Sequence, residues 1–211
     1  MTMVAPFREG GVSGFLHRPE APAERGLVLT HGAGGNCQAP LLVAAATAFC
    51  AAGVAVLRVD LPFRQRRAKG PPSPSGAAAD RAGLREAVAA LRALVTGRVC
   101  LGGQSYGGRQ ATMLAAEAPG TADGLLLFSY PLHPPGRPDR LRTEHFPRLA
   151  VPALFVQGTA DPFGSIAELE AAVTLIPAPT RLIAIDGAGH DLRRGRFDLA
   201  ALVPALVALG G

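Results

Sequence analysis

Arg98-Val99-Cys100-Leu101-Gly102-Gly103-Gln104-Ser105-Tyr106-Gly107-Gly108-Arg109 decides how the chain is read. An apolar run enters it, and an Ala/Met/Leu-rich stretch over residues 109–118 follows. The order is strand, sharp turn, helix, with a serine at the apex. Such a G-x-S-x-G elbow presents a nucleophilic serine in an exposed, strained conformation. Its glycines are needed because strand and helix backbones pass close to each other at the turn.

A serine hydroxyl is a weak nucleophile at neutral pH. It needs an imidazole to take its proton and a carboxylate to orient that imidazole. Both partners follow in the sequence. Pro152-Ala153-Leu154-Phe155-Val156-Gln157-Gly158 reads as a buried strand, with Asp161 in the loop after it. Arg181-Leu182-Ile183-Ala184-Ile185-Asp186 reads as another, followed by Gly187-Ala188-Gly189-His190-Asp191. The order Ser, acid, His is that of α/β-hydrolases, whereas other triad enzymes use other orders. Ser105 is therefore expected as nucleophile, His190 as general base and then acid, and Asp161 as orienter.

Upstream, Gly26-Leu27-Val28-Leu29-Thr30 reads as a strand that runs into His31-Gly32-Ala33-Gly34-Gly35-Asn36. A loop of this kind supplies one oxyanion donor, and the amide of the residue after the nucleophile, Tyr106, supplies the other. The Ala33 amide is favoured, with Gly34 as the alternative. His31 is read as holding the loop. A dinucleotide-binding loop is the rival, since Gly32-Ala33-Gly34 opens it and Asp60 ends the next strand. The sixth position is Cys37 rather than a glycine, and that reading leaves Ser105, Asp161 and His190 without a role.

The 211 residues suffice for one domain spanning 1–211 with a sizeable core. The chain is 48% hydrophobic and 18% charged, which argues against disorder. The net charge is +5, and its densest basic run, Arg64-Gln65-Arg66-Arg67-Ala68-Lys69, has no interleaved aromatics. It is read as a solvated loop rather than a nucleic-acid patch. Cys37, Cys50 and Cys100 have no metal or disulfide spacing. Cys50 and Cys100 are expected in the core and Cys37 at a buried helix start. No metal and no organic cofactor are expected. The N-terminal stretch has no apolar signal core, so a cytoplasmic location is expected. Residues 41–57 are apolar but shorter than the roughly 20 residues a membrane helix needs, and Gly53 divides them into helix and strand.

Along the chain, residues 4–17 are expected to form a hairpin on the sheet edge, with its turn at Gly10-Gly11. Helices are expected over 39–52, 78–96, after Ser105, and over 196–209. Strands are expected over 27–31, 54–60, 124–129, 152–157 and 181–186, and a loop over 62–76. Leu84, Val88, Leu91 and Val95 share one face of the second helix. The alternation predicts a doubly wound, mostly parallel α/β sheet, with the active site beyond the carboxyl ends of its strands. Residues 130–151, where a lid would be inserted, are too few for a helical cap. Tyr130 and His133 in that connection are candidate substrate contacts, ahead of Arg142 and His145, and His17 is read as a surface residue.

The chain resembles an α/β-hydrolase of the dienelactone-hydrolase-like group. It looks closest to a small subfamily with bacterial members, a testis-expressed protein and a regulatory subunit of a chromatin acetyltransferase complex. The residues that carry this are His31-Gly32-Ala33-Gly34-Gly35, Asp60-Leu61-Pro62-Phe63-Arg64, Gly103-Gln104-Ser105-Tyr106-Gly107-Gly108-Arg109 and Ser129-Tyr130-Pro131-Leu132-His133-Pro134-Pro135-Gly136. Leu141-Arg142-Thr143-Glu144-His145, Val156-Gln157-Gly158-Thr159-Ala160-Asp161-Pro162-Phe163-Gly164 and Gly189-His190-Asp191 complete it. The similarity covers nearly the whole chain from about Gly26. It departs at Tyr106, where Met is usual. The group's dienelactone hydrolases use a Cys nucleophile, so Ser105 counts against that substrate.

Together these readings imply a lidless serine hydrolase with an open pocket, cleaving a small-molecule carboxylic ester or thioester. Nucleic acid and membrane are not expected as partners, and a homodimer is compatible with the sequence. The other reading is a non-catalytic protein that keeps the fold as a binding module or scaffold, since fold alone does not fix function.

Overall fold

The strands expected at the centre of the sheet are runs of almost unbroken apolar residues, a pattern that is stable only when both sheet faces are covered. A computed structural model, which describes residues 3–194 and 197–209, shows how they are covered. Strands β3 (Arg25–Thr30), β4 (Val54–Val59), β5 (Val99–Gln104), β6 (Leu125–Phe128), β7 (Ala153–Gly158) and β8 (Thr180–Ile185) run parallel. The hairpin of β1 (Met3–Glu9) and β2 (Val12–Arg18) joins antiparallel to β4. The eight-stranded order is β1-β2-β4-β3-β5-β6-β7-β8.

One face is covered by α3 (Ala77–Arg92), which buries Leu84, Ala87, Val88 and Leu91, and by α4 (Tyr106–Glu117). The other is covered by α1 (Pro40–Ala51) and α6 (Leu202–Leu209). Helix α1 starts on a proline, whose fixed φ suits the first helical position. It stops before Gly53 at φ 86°, the left-handed conformation that ends helices. Among the described residues, no helix is long and apolar enough to cross a membrane.

Several expectations need correction. The 62–76 segment is not all loop: α2 (Pro62–Arg66) and a 3-10 turn at Pro74–Gly76 lie within it. Helix α3 ends at Arg92, although Val95 beyond it is still buried. The last helix begins at Leu202, and Arg196, where it was expected to start, lies outside the described residues. Helix α5 (Ile166–Val173) was not anticipated. Its signal is Ser165 with Glu168, a reciprocal capping box that satisfies two end donors of the helix. Cys100 is half-buried rather than fully buried.

His17 is not a surface residue. It is buried, and its Nε2 accepts a 2.8 Å hydrogen bond from Arg58 Nε. Burial, reinforced by the Arg58 charge, lowers its pKa to about 4. His145 is buried too, with Nε2 2.7 Å from Thr112 Oγ1, and burial plus the Arg109 charge take it to about 4. Both imidazoles protonate more readily in the unfolded chain than in the folded one. The unfolded state therefore binds more protons between about pH 6.5 and about pH 4, so stability falls as pH drops through that window and is level above it. Urea midpoints measured from pH 8 to pH 4.5 should decline below about pH 6.5, and His17→Gln should flatten the decline. A midpoint independent of pH contradicts this account.

Candidate active site

Strand β5 ends at Gln104, and the chain reverses into α4 within one residue. Ser105 makes that turn at φ 52°, ψ −116°, a conformation rare for a non-glycine residue. The surroundings enforce it. A Cβ on Gly103 would lie 2.8 Å from Gly107 C and 2.9 Å from Gly108 N. One on Gly107 would lie 2.6 Å from His31 O. Only glycines allow β5, α4 and the loop after β3 to meet, and Ser105 is left at the mouth of that junction.

The structure brings Ser105, His190 and Asp161 together from three strand ends. His190 Nε2 is 2.8 Å from Ser105 Oγ. His190 Nδ1 is 2.8 Å from Asp161 Oδ2 and 3.0 Å from Oδ1. With an ionised carboxylate, Nδ1–H donates to Asp161, and Nε2 is left to accept the serine hydroxyl. Asp161 is itself held: Phe163 N donates to Oδ1 at 2.9 Å and Gln157 Nε2 donates to Oδ2 at 3.0 Å. The Phe163 ring stacks on the imidazole at 4.1 Å. Asp186 and Asp191 turn away, toward Thr159 Oγ1 and Arg193 N respectively.

The loop after β3 lies beside this group. A Cβ on Gly32 would be 3.4 Å from Ser105 Cβ. His31 is buried, its Nδ1 2.8 Å from Gly32 O and its Nε2 accepting from Leu61 N at 3.1 Å. One neutral tautomer satisfies both contacts, and burial lowers the pKa of His31 in keeping with it. Gly32 O also accepts from Gly35 N at 3.1 Å. The Ala33 and Gly34 amides meet no acceptor among the described residues. Tyr106 N is at the first helical position of α4, where amides have no partner within the helix.

The Tyr106 side chain points away from the cleft. Its hydroxyl donates to Asp80 Oδ2 at 2.8 Å, and Phe63 N donates to Asp80 Oδ1 at 3.0 Å. The Phe63 ring meets Tyr106 edge-on at 5.8 Å and His31 at 5.6 Å. A methionine at 106 has no hydroxyl for Asp80, which gives this departure from the usual residue a physical role. Asp80 and Gln157 were missed by sequence reasoning. A buried acid on α3 and an amide at the end of β7 carry no local signal of their partners.

Tyr130 and His133 do not fit as substrate contacts. The Tyr130 ring is completely buried against Phe146 and Phe155, and its hydroxyl donates to Arg142 O at 2.7 Å. His133 is buried with Nδ1 2.8 Å from Pro134 O and Nε2 3.5 Å from Glu168 Oε2. The 130–151 connection is anchored by buried residues near its two ends, residues 135–141 between them are exposed, and none of the connection lines the cleft beside His190. Asp60, the acid of the dinucleotide reading, is occupied by Cys37 N at 2.7 Å. Burial raises the Cys37 thiol to about 12 and the Cys100 thiol to about 11, so neither is a nucleophile at neutral pH.

Beside His190 is an open cleft of about 720 Å³, lined by Gln104, Ala160, Pro162, Gly189, Arg193 and Arg194 among others. A smaller cavity of about 350 Å³ lies at the opposite ends of the strands, lined by Leu27, Phe49, Val54 and Leu206. It is remote from Ser105.

Solved structures align over most of the chain. A dienelactone hydrolase from Anabaena variabilis is 24% identical with a TM-score of 0.74, covering 99% of this chain and 95% of that one. An α/β serine hydrolase homologue from Coxiella burnetii is 20% identical at 0.70, covering 99% and 97%. A lidless α/β serine hydrolase from Xanthomonas campestris is 19% identical at 0.72, covering 99% and 93%. At these identities the likeness is one of fold. Among curated proteins, Epoxide hydrolase A from Mycobacterium tuberculosis is 44% identical over 48 residues, which span 23% of this chain and only 15% of that protein. Residues 23–199 match the alpha/beta hydrolase domain family, and with the eight-stranded sheet and its serine-bearing elbow this chain belongs to that family.

Proposed function

We propose that the protein is a serine hydrolase that cleaves small carboxylic esters or thioesters through an acyl-enzyme on Ser105. One observation carries the reading: an unbroken hydrogen-bonded chain from Ser105 Oγ through His190 to buried Asp161, on a turn that holds the serine at positive φ. In this reading His190 Nε2 takes the serine proton as Oγ attacks the acyl carbon, and Asp161 stabilises the imidazolium. The amides of Tyr106 and of Ala33 or Gly34 receive the oxyanion. The imidazolium then protonates the leaving alcohol or thiol. In the second half a water attacks the acyl group, with His190 again as base. No step calls for a metal or an organic cofactor. The intact chain of three side chains disfavours a scaffold role, even with the motif likeness to a testis-expressed protein and an acetyltransferase-complex subunit.

A fluorophosphonate probe should label the wild-type protein on Ser105, and Ser105→Ala should fold and remain unlabelled. Labelling of that variant contradicts the assignment. Asp161→Asn should lower kcat by about 10⁴, the scale seen when such an acid is neutralised and the imidazole takes the wrong tautomer. Equal losses in Asp186→Asn or Asp191→Asn would move the acid elsewhere.

Chain-length preference follows from the cleft. Each methylene gains about 0.8 kcal/mol only where a wall covers it. With none of residues 130–151 lining the cleft, kcat/KM on para-nitrophenyl esters should level off after a few carbons. A steady rise to sixteen carbons contradicts the open cleft.

A further inference from the structure

The basic run over residues 64–69 was read as one solvated loop, but its residues have two different fates. Arg66, Arg67 and Lys69 are exposed. Arg64 is only 6% exposed. Among the described residues no carboxylate pairs with it. An unpaired cation is expensive to bury, so its surroundings must supply the missing solvation. Backbone carbonyls do so. Nε donates to Gly35 O at 2.8 Å, one Nη donates to Ala33 O at 2.8 Å and to Gly70 O at 3.1 Å, and the other donates to Arg67 O at 3.2 Å. The guanidinium also lies over the Phe63 ring, 4.9 Å from its centre.

Two of those four carbonyls flank Gly34. Every peptide bond among the described residues is trans, so each C=O faces away from the N–H it is joined to. Holding the Ala33 carbonyl on the Arg64 side turns the Gly34 N–H to the opposite side. Holding the Gly32 carbonyl between His31 Nδ1 and Gly35 N fixes the Ala33 N–H in the same way. Both peptide planes around Ala33 are thereby set, beside Ser105. A charge-assisted bond to the Ala33 carbonyl also polarises that peptide and makes its N–H a stronger donor.

We propose that Arg64 is a positioning residue for the oxyanion site. It fixes and polarises the Ala33–Gly34 peptide, so that the Gly34 N–H is aimed before substrate arrives, and by holding Gly35 O it steadies the loop in which Gly32 O fixes the Ala33 N–H. The proposal rests on the serine-hydrolase reading above. Arg64 is buried and does not line the cleft, so its effect lies in the transition state and not in ground-state binding. Lysine keeps the charge but lacks the planar fork that spans several carbonyls, so it is a poor replacement.

The test compares wild type, Arg64→Ala and Arg64→Lys in kcat, KM, melting temperature and affinity for a trifluoromethyl ketone, whose adduct carries an oxyanion. Arg64→Ala should lower kcat by about 10²-fold or more, the scale of losing one oxyanion donor. KM should stay within about threefold, and ketone affinity should fall in parallel with kcat. Arg64→Lys should lose at least about tenfold in kcat while melting close to wild type. If Arg64→Ala does not fold, Arg64→Lys decides. A folded variant with kcat and ketone affinity within about twofold of wild type overturns the proposal, as does failure of both variants to fold, which would make Arg64 a general strut. An inert wild type fails the serine-hydrolase reading itself, whereas an active wild type with equally active variants fails only the proposal.

Discussion

The glycine contact between β5 and α4 is the constraint on which the other parts of the site depend. Gly103 and Gly107 have no Cβ, so the strand end, the helix start and the His31 carbonyl approach to distances that any side chain would prevent. The approach fixes the turn at Ser105, whose backbone conformation costs on the order of 1–3 kcal/mol and persists only because the surroundings over-determine it. It also sets the distance between Ser105 and the loop after β3, because His31 belongs to that loop. A widening of this junction would move the serine hydroxyl and the loop amides together.

Around that contact, three buried polar side chains bond mainly to backbone. His31 spans Gly32 and Leu61, Asp80 spans Tyr106 and Phe63, and Arg64 spans four carbonyls. Each arrangement ties a side chain of one element to the backbone of another. The site is therefore a set of peptide planes fixed in advance, which is what electrostatic preorganisation requires. Gln157, on β7 two strands from β5, holds the Asp161 carboxylate by a side-chain bond instead.

The elements and the order of Ser105, Asp161 and His190 were legible in the sequence, because near-continuous apolar strands and the glycines of the elbow are local patterns. Helix α5 was legible in principle from Ser165 and Glu168. The roles of Arg64 and Asp80 were not, since their decisive bonds reach residues far away in sequence and a lone Arg in a basic run looks like any solvated one. Gln157 was missed although Asp161 is only four residues on, because an amide at a strand end does not show which way it turns. Tyr130 misled for a related reason. A tyrosine in a Pro-rich connection suggests exposure, yet the connection folds inward and the ring becomes core. Which face a loop residue takes depends on tertiary packing that no periodicity records.

The sheet order has a consequence for how the protein loses activity. Ser105 and the His31–Gly35 loop stand at the ends of β5 and β3, each flanked by strands on both sides, whereas His190 follows β8, the last strand. Five of the six residues of β8 are half-buried or exposed, and among the described residues no strand lies beyond it. Edge segments open at a lower free energy than the centre of a sheet. Fraying of β8 withdraws the His190 imidazole while Ser105 stays in place. The first species formed on heating should then keep most of its secondary structure while His190 has left Ser105, and a serine-directed probe should lose its labelling at a lower temperature than the far-ultraviolet signal is lost. Inactivation and unfolding become two events, the first local to one edge strand.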